Sequence, residues 1–335
     1  MVKTMEIDDI DEKLLNIIQW DFPLIREPFS LLALNLNIPV KETINRIDRL
    51  KAAEIIRLIG PVLNPKKLGY STTLAAARVP TQRLSLAEQV IGKNPGVSHC
   101  YQRDHDFNLW FTLAVPVTTN LDDEVCKLGK QIRSTSTLNL PAIKMFKIGA
   151  YFNIGDGDST FPRRAKRGNL NSVISNNKPL SSNDRAVINS LQQDLPLKEK
   201  PFDLLSADLS MEADMLLWYC RSLLRRGIMR RFSASINHTK LGYAANAMAC
   251  WKVSRERVDA AGNRIASFPE VSHCYERQTS SLWPYNLFAM VHAGEQENCR
   301  AVIDKISIET GLDKNALVLL FSTAEIKKTR IIYKI

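Results

Sequence analysis

The sequence predicts an α+β chain built as a tandem repeat: a winged helix-turn-helix segment followed by a ferredoxin-like βαββαβ segment, twice, with the sheets of the two halves packed face to face. Three observations predict it. Shifting the chain by 173 positions aligns Asp8–Tyr70 with Ser181–Tyr243 without a gap, at 19 identities in 63 positions. Each repeat opens with helical periodicity and a short apolar ribbon. Each then alternates strand and helix signals.

In the first repeat, Asp11–Gln19 carries apolar residues at Leu14, Leu15, Ile17 and Ile18, a helical spacing. Phe29–Leu36 is the second helix, and Val40–Ala53 the third, entered after Pro39. Ile55–Gly60 reads as the wing. Thr73–Val79 is then a strand, Leu84–Lys93 a helix, Val97–Arg103 a strand after the Asn94-Pro95-Gly96 turn, and Asn108–Val115 the next strand. A helix over Asp122–Ser134 and a last strand near Ala142–Phe152 complete the pattern. The second repeat follows in register: Asp194-x-Pro196-Leu197 repeats Asp21-x-Pro23-Leu24, and Lys240-Leu241-Gly242-Tyr243 repeats Lys67-Leu68-Gly69-Tyr70. One inserted residue later the shift becomes 174. The domains expected are 1–60 and 181–233 (winged helix-turn-helix), 61–154 and 234–335 (ferredoxin-like), and 155–180, a Gly-, Ser- and Asn-rich basic linker containing Arg163-Arg164-Ala165-Lys166-Arg167.

Length and composition suit a soluble protein with several cores: 335 residues, 45% hydrophobic and 24% charged. No apolar run reaches the length of a membrane span, and the acidic, polar first residues do not read as a signal peptide, so a cytoplasmic location is expected. The six cysteines have no metal-ligand spacing and are expected to be reduced, mostly buried thiols. A net charge of +10 favours polyanionic partners: nucleic acid, an acidic surface, or a small molecule with many carboxylates.

One stretch occurs twice, Val97-Ser98-His99-Cys100-Tyr101-Gln102-Arg103 and Val271-Ser272-His273-Cys274-Tyr275-Glu276-Arg277. On a strand, alternation puts His, Tyr and Arg on one face and Cys100 or Cys274 on the other. Core-building strands would carry Val, Ile or Leu at the polar positions, so something other than plain core is expected against that face.

Winged helix plus ferredoxin-like domain resembles the Lrp/AsnC family of transcriptional regulators, which implies DNA binding by the third helix. The first repeat offers Lys41, Arg46, Arg49 and Lys51 for phosphates. The second repeat reads Glu212-Ala213-Asp214-Met215-Leu216-Leu217-Trp218, acidic and apolar, and suits protein packing. A narrower resemblance covers nearly the whole chain outside the linker. Arg103-Asp104-His105-Asp106-Phe107-Asn108-Leu109-Trp110 resembles one subunit type of the siroheme decarboxylases, and Trp283-Pro284-Tyr285-Asn286-Leu287-Phe288 through His292 resembles the other. The chain looks like a natural fusion of the two, an intramolecular pseudo-dimer that could dimerise further.

That resemblance implies a carboxy-lyase removing carbon dioxide from two acetate side chains of siroheme, giving didecarboxysiroheme for haem or dioxo-isobacteriochlorin haem biosynthesis. Siroheme is the partner; no membrane and no DNA partner are expected. No cofactor is required, since the iron arrives with the substrate. Arg103 and Arg277 are expected to grip carboxylates in bidentate fashion. Protonating the macrocycle, losing carbon dioxide and reprotonating the exocyclic methylene calls for an acid of near-neutral pKa, a role for histidine. The order for catalysis is His105, His292, then His238, each also a candidate iron ligand, with Tyr101 and Tyr275 orienting them. His99 and His273, Asn108 and Asn286, Trp110 and Trp283 (stacking on the macrocycle) and Tyr285 complete the expected substrate site. The alternatives are a Lrp/AsnC-like regulator or a tetrapyrrole-binding protein without turnover.

Overall fold

The computed structural model describes residues 6–149, 152, 154–155 and 179–335. Most of the expected basic linker, including 163–167, lies outside the described residues. In chain order the first half contains α1 (Asp9–Ile18), α2 (Pro28–Leu36), α3 (Val40–Ala52), β1 (Ile56–Leu63), β2 (Tyr70–Arg78), α4 (Leu84–Lys93), β3 (Val97–Arg103), β4 (Leu109–Pro116), α5 (Leu121–Gln131) and β5 (Ser136–Ile148). The second half contains α6 (Ser182–Leu191), α7 (Pro201–Asp208), α8 (Ala213–Arg225), β6 (Met229–Ile236), β7 (Ala245–Trp251), α9 (Val258–Ala266), β8 (Val271–Arg277), β9 (Leu287–Ala293), α10 (Gln296–Thr310) and β10 (Leu317–Lys328).

The chain divides into two compact units. The first comprises Met1–Leu68, Tyr151–Leu241 and Tyr333–Ile335, and so holds both winged segments. Their wings pair with each other, β1 antiparallel to β6 from Ile56↔Ile236 to Leu63↔Met229. This pairing carries the unit past the expected boundaries of 60 and 233 to Leu68 and Leu241. The repeated Lys-Leu-Gly-Tyr motif marks the crossing point: Gly69 (φ 79°) and Gly242 (φ 85°) both take a left-handed backbone with open space where a Cβ would stand. Conformation, not crowding, therefore requires glycine there.

Within this unit α1 starts from a reciprocal cap between Asp8 and Asp11, and Ser181 with Asp184 does the same for α6. Phe22, Phe29, Phe202 and Phe232 form an aromatic core shared by both winged segments. Of the four cations expected to meet phosphate, Lys41 is exposed and the other three are engaged internally. Arg46 donates to Asp8, Asp11 and Glu42, Arg49 pairs with Asp11, and Lys51 reaches Asp194 at 2.6 Å. Asp11 is fully buried, so these arginines neutralise an interior carboxylate.

The second unit, Gly69–Ala150 with Gly242–Ile332, is a closed barrel of order β10-β3-β4-β2-β5-β8-β9-β7. Each half contributes four strands in the ferredoxin-like order, and the last strand of each half continues onto the other: β5 pairs with β8, and β10 with β3. The expected face-to-face packing is present, since Trp110, Leu138, Leu140, Met248, Cys250, Trp283, Phe288 and Leu320 form one interior cluster. The halves are also joined edge to edge, which removes the exposed edges a pair of open sheets would keep. Outside, α4 and α5 cover one sheet and α9 and α10 the other, each over its own apolar core. The last strand of the first half begins at Ser136, earlier than expected, because Leu138 and Leu140 line the interior. It ends at Ile148; Phe152 belongs to the first unit, where its backbone exchanges hydrogen bonds with the Gln19 side chain. No helix among the described residues is long and apolar enough to cross a membrane.

Candidate functional site

The repeated stripe alternates as expected. Cys100 and Cys274 lie in the helix-side cores, where burial pushes both thiols up to about 12. They stay protonated and inert. His, Tyr and Arg occupy the other face, with the Arg103 guanidinium 5.5 Å from the Tyr101 ring centroid and that of Arg277 4.8 Å from Tyr275.

The arginines are seam fasteners. Arg103 donates to the Leu320 carbonyl at 2.7 Å and Arg277 to the Leu140 carbonyl at 2.9 Å, equivalent bonds that tie β3 to β10 and β8 to β5. Arg103 is buried and Arg277 half-buried; burial lowers each to about 10, so each still carries its charge at neutral pH. The Nε of each is buried and has no partner among the described residues. Where the sequence predicts a bidentate grip on a carboxylate, the structure gives each guanidinium a strand carbonyl as partner. Neither arginine pairs with a neighbouring acid: Asp104 accepts the Phe321 N–H at 2.6 Å and Asp106 lies 3.5 Å from Arg78.

Other expected contacts prove structural. Asn108 clasps Val79, accepting its N–H at 3.0 Å and donating to its carbonyl at 2.8 Å; Asn286 does the same to Val253. Both carboxamides are thereby occupied by backbone. Trp110 and Trp283 pack edge to face at 5.1 Å inside the barrel, 2% and 1% exposed, leaving no indole face for a macrocycle. Tyr285 packs on Trp283 at 5.1 Å. His105 also meets Trp283, at 5.5 Å, and its Nδ1 accepts the Phe107 N–H at 3.0 Å. Burial lowers its pKa, outweighing the Asp106 carboxylate, so it is neutral at physiological pH and poorly suited to donate a proton. His238 is 2% exposed and lies in the other compact unit, stacked on Phe152 at 4.8 Å.

The structure does bring His273 and His292 together. The Ser272 hydroxyl lies 2.9 Å from Nδ1 of His273 and 2.8 Å from Nε2 of His292. A register shift between Val271 and His273 accompanies this arrangement, which strict alternation would not give. Sequence reasoning missed Ser272; its only signal was a serine before the histidine in both copies. In the first half Ser98 bonds His99 at 2.9 Å, but Ala114 stands where His292 would be.

The strand facing each stripe also differs. On β5, Met145 pairs with Tyr275 and Ile148 with His273; on β10, Glu325 pairs with Tyr101 and Lys328 with His99. Met145 and Ile148 are 47% and 39% exposed, whereas Glu325 accepts the Tyr101 hydroxyl at 3.3 Å. The residues that pair with Tyr275 and His273 are apolar, those that pair with Tyr101 and His99 are charged, and the second half adds His292. His292 and His105 are set apart. His292 is five residues along β9 from Leu287, ~16 Å at strand spacing, while His105 packs on the loop before that strand. A cleft of about 290 Å³ beside Asn246 and Ser322 is too small for a tetrapyrrole. No group of three or more His, Cys, Asp or Glu side chains among the described residues is placed to hold a metal ion.

Two family models match the chain twice each: the AsnC-like ligand binding domain over 67–147 and 240–327, and the Siroheme decarboxylase NirDL-like HTH domain over 11–57 and 184–230. A siroheme decarboxylase of Hydrogenobacter thermophilus is 39% identical over 323 residues, 96% of this chain and 94% of that protein. The chain belongs to the siroheme decarboxylase family. A crystal structure of the siroheme decarboxylase NirDL in co-complex with an iron-uroporphyrin III analogue superposes with a TM-score of 0.70 at 35% identity, covering 97% of this chain and 94% of that one. The siroheme decarboxylase beta subunit of Methanosarcina barkeri is 39% identical over 150 residues, 45% of this chain and 97% of that protein. A half-length relative of that kind fits the two-halves architecture of this siroheme decarboxylase family member.

Proposed function

We propose that the protein decarboxylates siroheme at two acetate side chains, with one productive face per chain, at the second seam between β5, β8 and β9. The observation that carries the site is the His273–Ser272–His292 cluster, present in one half only and bordered by exposed Met145 and Ile148. An apolar strand edge suits a flat macrocycle, and a basic chain suits its eight carboxylates. At the first seam, Glu325 would repel those carboxylates.

In this reading a protonated imidazole gives its proton to a ring carbon next to the one bearing the acetate, which leaves the positive charge conjugated with the acetate-bearing carbon. The electron pair of the C–CO₂ bond then neutralises the protonated ring as carbon dioxide leaves, and a second proton converts the exocyclic methylene to a methyl group with loss of a ring proton. Each acetate thus exchanges carbon dioxide for one net proton. The route uses no organic cofactor, and the iron belongs to the substrate. Didecarboxysiroheme would feed haem or dioxo-isobacteriochlorin haem synthesis. DNA binding plays no part, in keeping with the engagement of Arg46 and Arg49 by Asp11.

Anaerobic incubation with siroheme, followed by product mass, tests the function. Loss of two carbon dioxide units supports it; bound, unchanged siroheme would reduce the protein to a carrier.

A further inference from the structure

A serine hydroxyl between two imidazoles is an uncommon use of a strand residue. Ser272 is 5% exposed, and its oxygen has one proton to give and two lone pairs. It stands 2.9 Å from Nδ1 of His273, 2.8 Å from Nε2 of His292 and 3.4 Å from the Met290 carbonyl. The two short contacts satisfy the hydroxyl when one imidazole donates to Oγ and Oγ donates to the other. We infer that Ser272 is a positioning residue that joins His273 and His292 into a single proton-sharing pair.

The transfer balances. The Nδ1 proton of His273 passes to Oγ as the Oγ proton passes to Nε2 of His292. Oγ remains a hydroxyl, and the positive charge has moved from one ring to the other. Reversal restores the first state. A pair of this kind can spend a proton at one ring and reload through the other, which suits a reaction needing a proton for each of two acetates. The inference rests on the reading of His273 and His292 as the acids of the reaction.

The molecule contains its own control. Ser98 makes the same 2.9 Å contact to Nδ1 of His99, but Ala114 replaces the second imidazole. The row of residues across the sheet repeats this contrast. Asn246 is the register partner of His292 and accepts from the Ser322 hydroxyl at 2.7 Å. In the first half, Thr72 is the partner of Ala114, and Ala142 opposes Arg277 as Ser322 opposes Arg103. The polar row was elaborated in one half alone.

The titratable groups around the pair can be named. Tyr275 stacks near His273 at 6.3 Å. Lys147 on β5 holds the Phe268 carbonyl at 2.7 Å and feels Glu270, whose own carbonyl takes the His292 N–H. Cys274 and Cys299 lie on the helix side of the same strands.

With five histidines in the chain, imidazole NMR resonances can be followed individually through a pH titration of the full-length protein without substrate. The wild type should show His273 and His292 titrating as a coupled pair. Ser272→Ala should separate them into two independent curves, lower turnover ~10- to 100-fold and displace the acid limb of the pH–rate profile. Ser272→Thr should restore coupling and most of the rate, and Ser98→Ala should change neither. Unchanged His273 and His292 curves in Ser272→Ala would overturn the pairing, as would loss of coupling in Ser272→Thr with its fold intact by circular dichroism. If coupling is present but His273→Ala and His292→Ala both turn over siroheme like wild type, the pair stands and the assignment of the acids fails.

Discussion

The barrel has two seams built on one plan and finished differently. At β3–β10, Tyr101 meets Glu325 and His99 meets Lys328; at β5–β8, Tyr275 meets Met145 and His273 meets Ile148. The parts that recur are fasteners: an arginine on the carbonyl of the last strand, an asparagine clasping Val79 or Val253, a cysteine in the helix-side core. In the proposed reading the parts that differ, His292 above all, carry the chemistry.

That comparison can be broken in several ways. Removing the second-half imidazole with His292→Ala should lower turnover ~10²- to 10³-fold, the scale of a positioned acid, while His99→Ala should cost less than ~10-fold; steady-state kinetics on siroheme decides. Equal losses would erase the distinction between the seams. The fasteners should instead respond symmetrically. Arg103→Ala and Arg277→Ala should each destabilise by roughly 2–4 kcal/mol, because a buried carbonyl loses its donor and a large side chain leaves a cavity. Denaturant melts check this, and a much larger effect on one side would show that the arginines do not share a role. Asn108→Ala and Asn286→Ala should each cost about 1–3 kcal/mol with KM unchanged, since the carboxamides serve backbone. A raised KM would return them to the substrate site.

The smallest effect concerns His105. Its folded pKa lies below the ordinary 6.5, chiefly through burial, so the unfolded chain binds a proton more readily. The neutral form's contribution is fully present above the unfolded pKa and is lost as pH falls through it towards the folded value. His105→Gln should therefore show a shallower fall of Tm than wild type below about pH 6.5. An identical slope would mean that burial does not depress this imidazole.

Much of the architecture was legible because it is periodic. The 173-residue shift exposed the duplication, and alternation placed Cys100 and Cys274 opposite the histidines. The candidate site was less legible. Arg103 and Arg277 resemble carboxylate binders until the Leu320 and Leu140 carbonyls, remote in sequence, are brought beside them by strand exchange between the halves. Trp110 and Trp283 resemble stacking platforms until each is found covering the other. His105 stands out in the sequence, as His238 and His292 do, by occurring in one half only; its Phe107 contact and partial burial make it a neutral, half-buried imidazole. Ser272 became visible only with the local register shift, which no residue type announces.

The central claim is that both decarboxylations run on the second seam. Single-turnover incubation of His99→Ala and His292→Ala with siroheme, resolved by product mass, tests it most directly. His99→Ala is expected to remove both carbon dioxide units at near the wild-type rate, and His292→Ala to remove neither on that timescale. If each variant instead stops at a monodecarboxylated product, each half serves one acetate, and the single productive face is contradicted.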